Sequence, residues 1–129
     1  MIARVAAISA GPRSASPLEA AVRPVKCAAP WPLHRDSAAP IHERWAASVY
    51  RHCHFIARNL SRHSSANNHL LGELTGLFIA ALAWPRWPES RRWRELARAG
   101  LETQAVTQNG ADGVNREQAV WYQQFVLDM

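Results

Sequence analysis

With 129 residues, 48% hydrophobic content and six tryptophans, the chain is long enough for one domain with its own core and too apolar for disorder along its whole length. Its net charge of +5 is uneven, with five basic and two acidic residues in 1–40 against ten and eight in 41–129, which is too weak a field for a nucleic-acid footprint. No apolar run reaches the ~20 residues of a membrane span, and Cys27 and Cys53 fit neither a metal spacing nor a disulfide scaffold.

Residues 1–40 hold six of the eight prolines and show no sustained hydrophobic period. AAPWPLHRDSAAP has a proline too often for a helix and few β-branched residues for a strand. The expectation is an irregular Pro/Ala-rich segment, separate from the domain that follows. The opening MIARVAAISAG makes a poor signal peptide. From residue 41 the texture changes. Ile41, Trp45, Val49, Cys53 or His52, Ile56 and Leu60 recur every three or four residues, which predicts a helix of about five turns. A second helix is predicted from about Asn68 to Ala83. Its stripe of Leu70, Leu71, Leu74, Leu77, Phe78, Ala81 and Leu82 is wide enough for a buried helix. WPRWPES breaks it, and Pro88 suits the first position of a third helix. Trp93, Leu96, Ala97, Gly100, Leu101 and Gln104 mark the inner face of that helix. QNGADG supplies two turn dipeptides, Asn109-Gly110 and Asp112-Gly113. A fourth helix opens at Asn115, with Gln118 at capping-box spacing, and continues through AVWYQQFVLD. No strand signal competes, so the fold class is all-α, with consecutive antiparallel helices.

Several groups invite a chemical reading. His42, His52, His54, His63 and His69, with Cys53, raise the question of a metal. Zinc asks for ligands at i, i+4 on one helix face or for cysteine pairs, and His52 and His54 lie on different sides of a helix. Surface and half-buried histidines are the better reading, with no metal and no cofactor. The cluster RRWR (91–94) is interrupted by Trp93 and followed by Glu95, so it reads as a solvated face rather than a phosphate contact. Trp93 reads as corner packing. Trp84 and Trp87 could equally stack on sugar rings or seal a helix corner.

The stretch SSANNHLLGE, residues 64–73, holds more polar residues than a helix start needs. Asn67 serves as N-cap. Asn68 and His69 then occupy the first turn, where free N–H groups and the helix dipole favour an anion. An amide and an imidazole there would hold a carboxylate or a phosphate. The plainer alternative is a helix start with one extra polar residue and a satisfied histidine. Spacing alone leaves both open.

SSANNHLLGELTGLFIAALAWPRWPESRRW, followed by LETQAVTQNGADGVNREQAVWYQQFVLD, resembles the helical domain of heparinase II/III-type polysaccharide lyases. That family pairs an Asn-His at a helix start with a later Gln…Asp-Gly and a Glu-rich turn before a tyrosine. The matching positions are Asn68-His69, Gln108, Asp112-Gly113, Glu117 and Tyr122, and the resemblance covers residues 41–129. It implies part of an incomplete α/α toroid, to which the family adds a β-sandwich. It also implies uronic-acid polysaccharides, such as alginate or heparan-type chains, as substrates and β-elimination as the reaction. By the resemblance, Asn68 and His69 neutralise the substrate carboxylate, Tyr122 transfers protons, and Asn67, Glu117, Trp84 and Trp87 are candidate substrate contacts. The Tyr122 hydroxyl should then lie on the order of 5–12 Å from the Asn68/His69 pair, leaving room for a sugar ring between groups that must each reach hydrogen-bond distance.

The implied partner is an anionic polysaccharide, with no nucleic acid and no membrane, and the parent family is periplasmic or secreted. Family members are several times longer and carry a further histidine in later sequence. The resemblance therefore implies a fragment without activity of its own, its exposed apolar helix faces open to self-association. Two readings from other classes remain. One is a non-catalytic helical module for interaction or polysaccharide binding. The other is a small basic nucleic-acid-binding domain, whose affinity would fall steeply with salt.

Overall fold

The computed structural model describes residues 17–28, 39–62, 68–114 and 124. Four helices follow one another there: α1 (Pro17–Ala28), α2 (Ala39–Arg58), α3 (Asn68–Ala83) and α4 (Ser90–Thr107). No strand occurs among the described residues, and the chain is all-α.

The segment of α3 is apolar around most of its circumference, a pattern that is stable only when neighbours cover several faces. Helices α1, α2 and α4 all pack on it, and Leu70, Leu71, Leu74, Leu77, Ala80 and Ala81 are buried. The predicted bounds of this helix are the observed ones. Two members of the predicted stripe differ. Phe78 is half-buried, and Leu82 is 50% exposed at the edge of a shallow groove shared with Val25, Ala28, Ile79 and Ala83.

Helix α1 corrects the expectation of an irregular segment over residues 17–28. The prolines that argued against a helix, Pro30 and Pro32, lie beyond its end. Pro17 takes the first position, where the missing N–H is unpaired in any case. Only Pro24 is internal, and its ring is buried in the core. Small residues then bring α1 onto α3. A Cβ added at Gly76 would lie 2.6 Å from the Ala21 carbonyl oxygen and 3.0 Å from the Ala21 Cβ. Ala20 and Ala21 are fully buried at this contact.

Helix α2 buries Val49, Cys53 and Ile56 along one stripe, as the periodicity predicts, with Trp45 and Leu60 packed beside them. It begins and ends two residues earlier than the pattern suggested. Asn59 closes it, with its N–H donating to the Ile56 carbonyl at 3.0 Å and its Nδ2 to the Phe55 carbonyl at 2.8 Å. Burial pushes the Cys53 thiol up to about 12, so it remains a protonated apolar group, and both cysteines are free.

The corner between α3 and α4 is a turn over Trp87–Ser90, closed by the Ser90 N–H on the Trp87 carbonyl at 3.1 Å. Pro88 therefore occupies the second turn position, which its fixed φ favours, and the helix starts two residues later than predicted. The Ser90 hydroxyl donates to the Trp84 carbonyl at 2.6 Å. Trp93 and Ala97 are buried on the inner face of α4, while Arg91, Arg92 and Arg94 are exposed, as a solvated face requires. A Cβ on Gly100 would lie 2.7 Å from Leu74 Cδ1, so α4 lies close against the middle of α3. Beyond α4 the two predicted turn dipeptides form one tight reversal. The Gly110 N–H donates to the Val114 carbonyl at 2.8 Å. The Val114 N–H donates to Asp112 Oδ1 at 3.1 Å, and Gly113 has φ +80°, a conformation glycine adopts without steric cost. Of the predicted fourth helix, only Gln124 falls among the described residues, and it is helical.

Candidate functional site

Asn68 and His69 are the first two residues of α3. The N–H groups of a first turn have no partner within the helix, and Leu70 and Leu71 just behind them are buried anchors. Both polar side chains are half-buried. Neither makes a hydrogen bond or ion pair to another described residue.

The far end of α4 reaches the same place. Helices joined by a short corner run antiparallel, and Leu74 sits against Gly100. Stepping from Leu74 back to Asn68 is matched by stepping from Gly100 on towards Val106. That register puts Val106 level with Asn68 and Gln104 level with Leu70, with Gln108 two residues beyond. Gln108 is 6% exposed; its N–H donates to the Gln104 carbonyl at 2.9 Å and its Nε2 to Gln104 Oε1 at 2.9 Å.

One charged side chain supports this end from inside. Glu73 is fully buried. Its Oε2 accepts the backbone N–H of Ser61 at 2.7 Å, and its Oε1 accepts the Ser61 hydroxyl at 2.6 Å. Sequence reasoning missed both residues. The available signal was an acidic residue in the middle of LLGELTGL, where every neighbour is apolar or small.

The opposite end of α3 is built differently. Trp84 follows α3 directly, about 24 Å along the axis from Asn68 at 1.5 Å per residue. Trp84 is 7% exposed, and its ring stacks on Trp87 with centroids 5.0 Å apart and planes 6° from parallel. Tyr50 meets Trp87 edge-on at 5.1 Å, and His54 meets Trp93 edge-on at 5.0 Å. The Tyr50 hydroxyl donates to Glu89 Oε2 at 2.7 Å, and His54 Nε2 lies 3.7 Å from Glu89 Oε1. Burial, helped by the hydrogen bond to Glu89 and its negative charge, pushes the Tyr50 phenol up to about 12. Tyr50 is thus a fixed proton donor. Glu89 holds the N-cap position of α4 but makes no side-chain capping bond, because its carboxylate is turned to α2 instead.

The predicted site residues are therefore divided. Asn68 and His69 are neighbours on the first turn of α3. Trp84 and Trp87 form the distant aromatic corner. Asn67, Glu117 and Tyr122 lie outside the described residues, and so does His63. Among the described residues, no group of three or more His, Cys, Asp or Glu is placed to hold a metal ion. His52 instead donates its Nδ1–H to the Ser48 carbonyl at 2.7 Å. No helix among the described residues is long and apolar enough to cross a membrane.

An all-α domain whose central helix starts with an amide and an imidazole unpartnered among the described residues is the class that fold and site define. The chain matches the family model described as heparinase II/III N-terminus over residues 18–129, and it belongs to that family. The match begins at the second residue of α1, so this helix lies within the family region, which reaches further towards the N-terminus than residue 41. No curated protein and no solved structure matches the chain.

Proposed function

We propose that the chain is the helical part of a lyase that cleaves uronic-acid polysaccharide, of the alginate or heparan type, by β-elimination, its helices forming part of an incomplete α/α toroid. The proton to be removed sits on the carbon that bears the carboxylate and is very weakly acidic. Its departure pushes electron density towards that carboxylate, and hydrogen-bond donors already aimed there stabilise the transition state. Asn68 and His69 are those donors, and the free N–H groups of the first turn add to them. The electron pair of the broken C–H bond forms a carbon–carbon double bond as the glycosidic C–O bond breaks, and the leaving oxygen takes up a proton. Tyr122 removes the first proton and delivers the second. Asn67 and Glu117 contact the same sugar, while Trp84 and Trp87 meet a polymer many units long at a distance.

The observation that carries this reading is the pair of half-buried polar side chains at the start of α3, unpartnered among the described residues. The test is titration of the protein with alginate, with heparan sulfate and with neutral dextran. The expected result is binding of an anionic polymer over dextran, weakened about tenfold or more, or at least ~1.4 kcal/mol, by Asn68→Ala or His69→Ala. Equal binding of dextran, or full affinity in both variants, would overturn the assignment.

A further inference from the structure

The carboxylate of Glu73 is the one fully buried acidic group among the described residues. Burying a carboxylate is costly unless charge or hydrogen bonds compensate. No cationic side chain is in ion-pair contact with Glu73 among the described residues. Both donors come from a single residue, Ser61, at 2.7 and 2.6 Å. A leucine would fill the same space without the desolvation cost, so the carboxylate must be judged by what it holds.

We propose that Glu73 is a positioning residue for the Asn68–His69 pair, acting through Ser61. The proposal rests on the reading of that pair as a carboxylate-binding site. Side chains on a helix lean towards its N-terminus, so Glu73 reaches back along α3 towards the first turn. What it grips is Ser61, from which residues 62–67 lead directly into Asn68. The chain is therefore fixed on both sides of that run, at Ser61 by Glu73 and at Asn68 by the bonds of α3. First turns are the part of a helix most prone to fray. Holding the incoming chain with two bonds to one carboxylate sets where it enters α3, and with it the aim of Asn68 and His69. A carboxylate accepts both bonds as they stand. An amide at this position would accept the Ser61 N–H with its oxygen but present an NH2 group to the Ser61 hydroxyl, which would have to turn from donor to acceptor and give up a charge-assisted bond.

The experiment uses the full chain, an alginate oligomer of defined length and the variants Glu73→Gln, Ser61→Ala and Ile56→Val. The last is a conservative core change in α2 that touches neither Glu73 nor the Ser61 bonds, serving as a destabilised control. Glu73→Gln should weaken oligomer binding about tenfold or more, since small misplacements of positioned groups carry penalties of that order. Ser61→Ala, which keeps the backbone bond, should weaken it about threefold, since each shift of ~0.65 kcal/mol is about that factor. Both variants should move the His69 ring resonances and speed amide exchange at Asn68–Leu70 in the free protein, and Ile56→Val should do neither. Adding Asn68→Ala to Glu73→Gln should weaken binding less than the two losses multiplied, as coupled groups do. If Glu73→Gln does not fold, the binding and resonances of Ser61→Ala decide alone. Wild-type affinity and unmoved His69 resonances in the variants that fold overturn the positioning role and leave the carboxylate site standing. A wild-type protein that ignores the alginate oligomer and a heparan sulfate oligomer alike overturns the carboxylate site and the positioning role together.

Discussion

The two ends of α3 use similar residue types to opposite ends. At the corner with α4, Trp84, Trp87, Trp93, Tyr50 and His54 cover one another's faces and edges, and the polar atoms of Tyr50, Glu89 and Ser90 are bonded within the corner. At the start of α3, the bonded polar group is Glu73, which lies inside, while Asn68 and His69 stand half-buried without a described partner. Buried polar groups that satisfy one another specify a packing. Polar groups left open beside free helix N–H groups are available to something outside. A closed end should therefore show up in stability and an open end in binding.

The largest expected effect tests the closed end. Trp93 is 3% exposed, and truncating a buried tryptophan costs about 3–5 kcal/mol. Trp93→Ala should thus lower the thermal midpoint sharply. At temperatures where the variant is still folded, its affinity for an anionic oligomer too short to reach Trp84 and Trp87 should match wild type. A loss of affinity for that short oligomer in the folded variant would show that the corner also shapes the site at the start of α3.

Gly76 lies between the two ends, and a side chain there meets the Ala21 backbone rather than a flexible tip. Gly76→Val should cost about 1–3 kcal/mol by overpacking and loosen α1 from α3, readable as faster amide exchange across Pro17–Ala28. An unchanged exchange pattern would mean that α1 is not held by this contact.

A smaller effect separates hydrogen bonding from packing at the corner. Tyr50→Phe keeps the ring and removes the bond to Glu89, costing about 1–2 kcal/mol for a half-buried bond to a charged acceptor. The pH dependence has a definite sign. The folded-state pKa is raised from 10.0 to about 12, so the contribution of Tyr50 is whole below about pH 10. Between there and about pH 12 the unfolded chain ionises first, and the contribution is lost as the pH rises. Urea midpoints measured across that window should fall less steeply for Tyr50→Phe than for wild type. Equal slopes would place the alkaline loss elsewhere.

How much of this was legible in the sequence differs between the same two ends. The bounds of α3 follow from an apolar pattern too wide for a surface helix, and the placement of Asn68 and His69 on its first turn follows from those bounds. Helix α1 was hidden because Pro30 and Pro32 dominate the neighbouring composition, whereas its own two prolines sit where a helix tolerates them or the core covers them. The aromatic corner could be suspected from Trp84, Trp87 and Trp93. Its polar lock could not, because Tyr50 and Glu89 are separated by 39 residues and no local period encodes such a pairing. The grip of Glu73 on Ser61 spans 12 residues, and only its acidic half stands out in the sequence. Tyr122, the proton-transfer group that the resemblance implies, lies outside the described residues, as do Asn67 and Glu117, so their placement rests on the resemblance.

The smallest expected effect on stability is the most informative about the open end. Asn68→Ala and His69→Ala remove side chains that are half-buried and bonded to no other described residue. Substitutions of that kind usually stay within about 0.5 kcal/mol. Alanine also has the better helix propensity, by up to ~0.7 kcal/mol, which offsets whatever packing is lost. Chemical denaturation of both variants should therefore overlay wild type within that margin, while affinity for anionic polymer falls. The separation is the argument. A residue serving mainly as helix punctuation would show its loss in the unfolding curve, at about 1 kcal/mol for a cap, and leave binding alone. If Asn68→Ala destabilises by that amount with affinity unchanged, the start of α3 is as closed as the tryptophan corner, and the contrast between the two ends disappears.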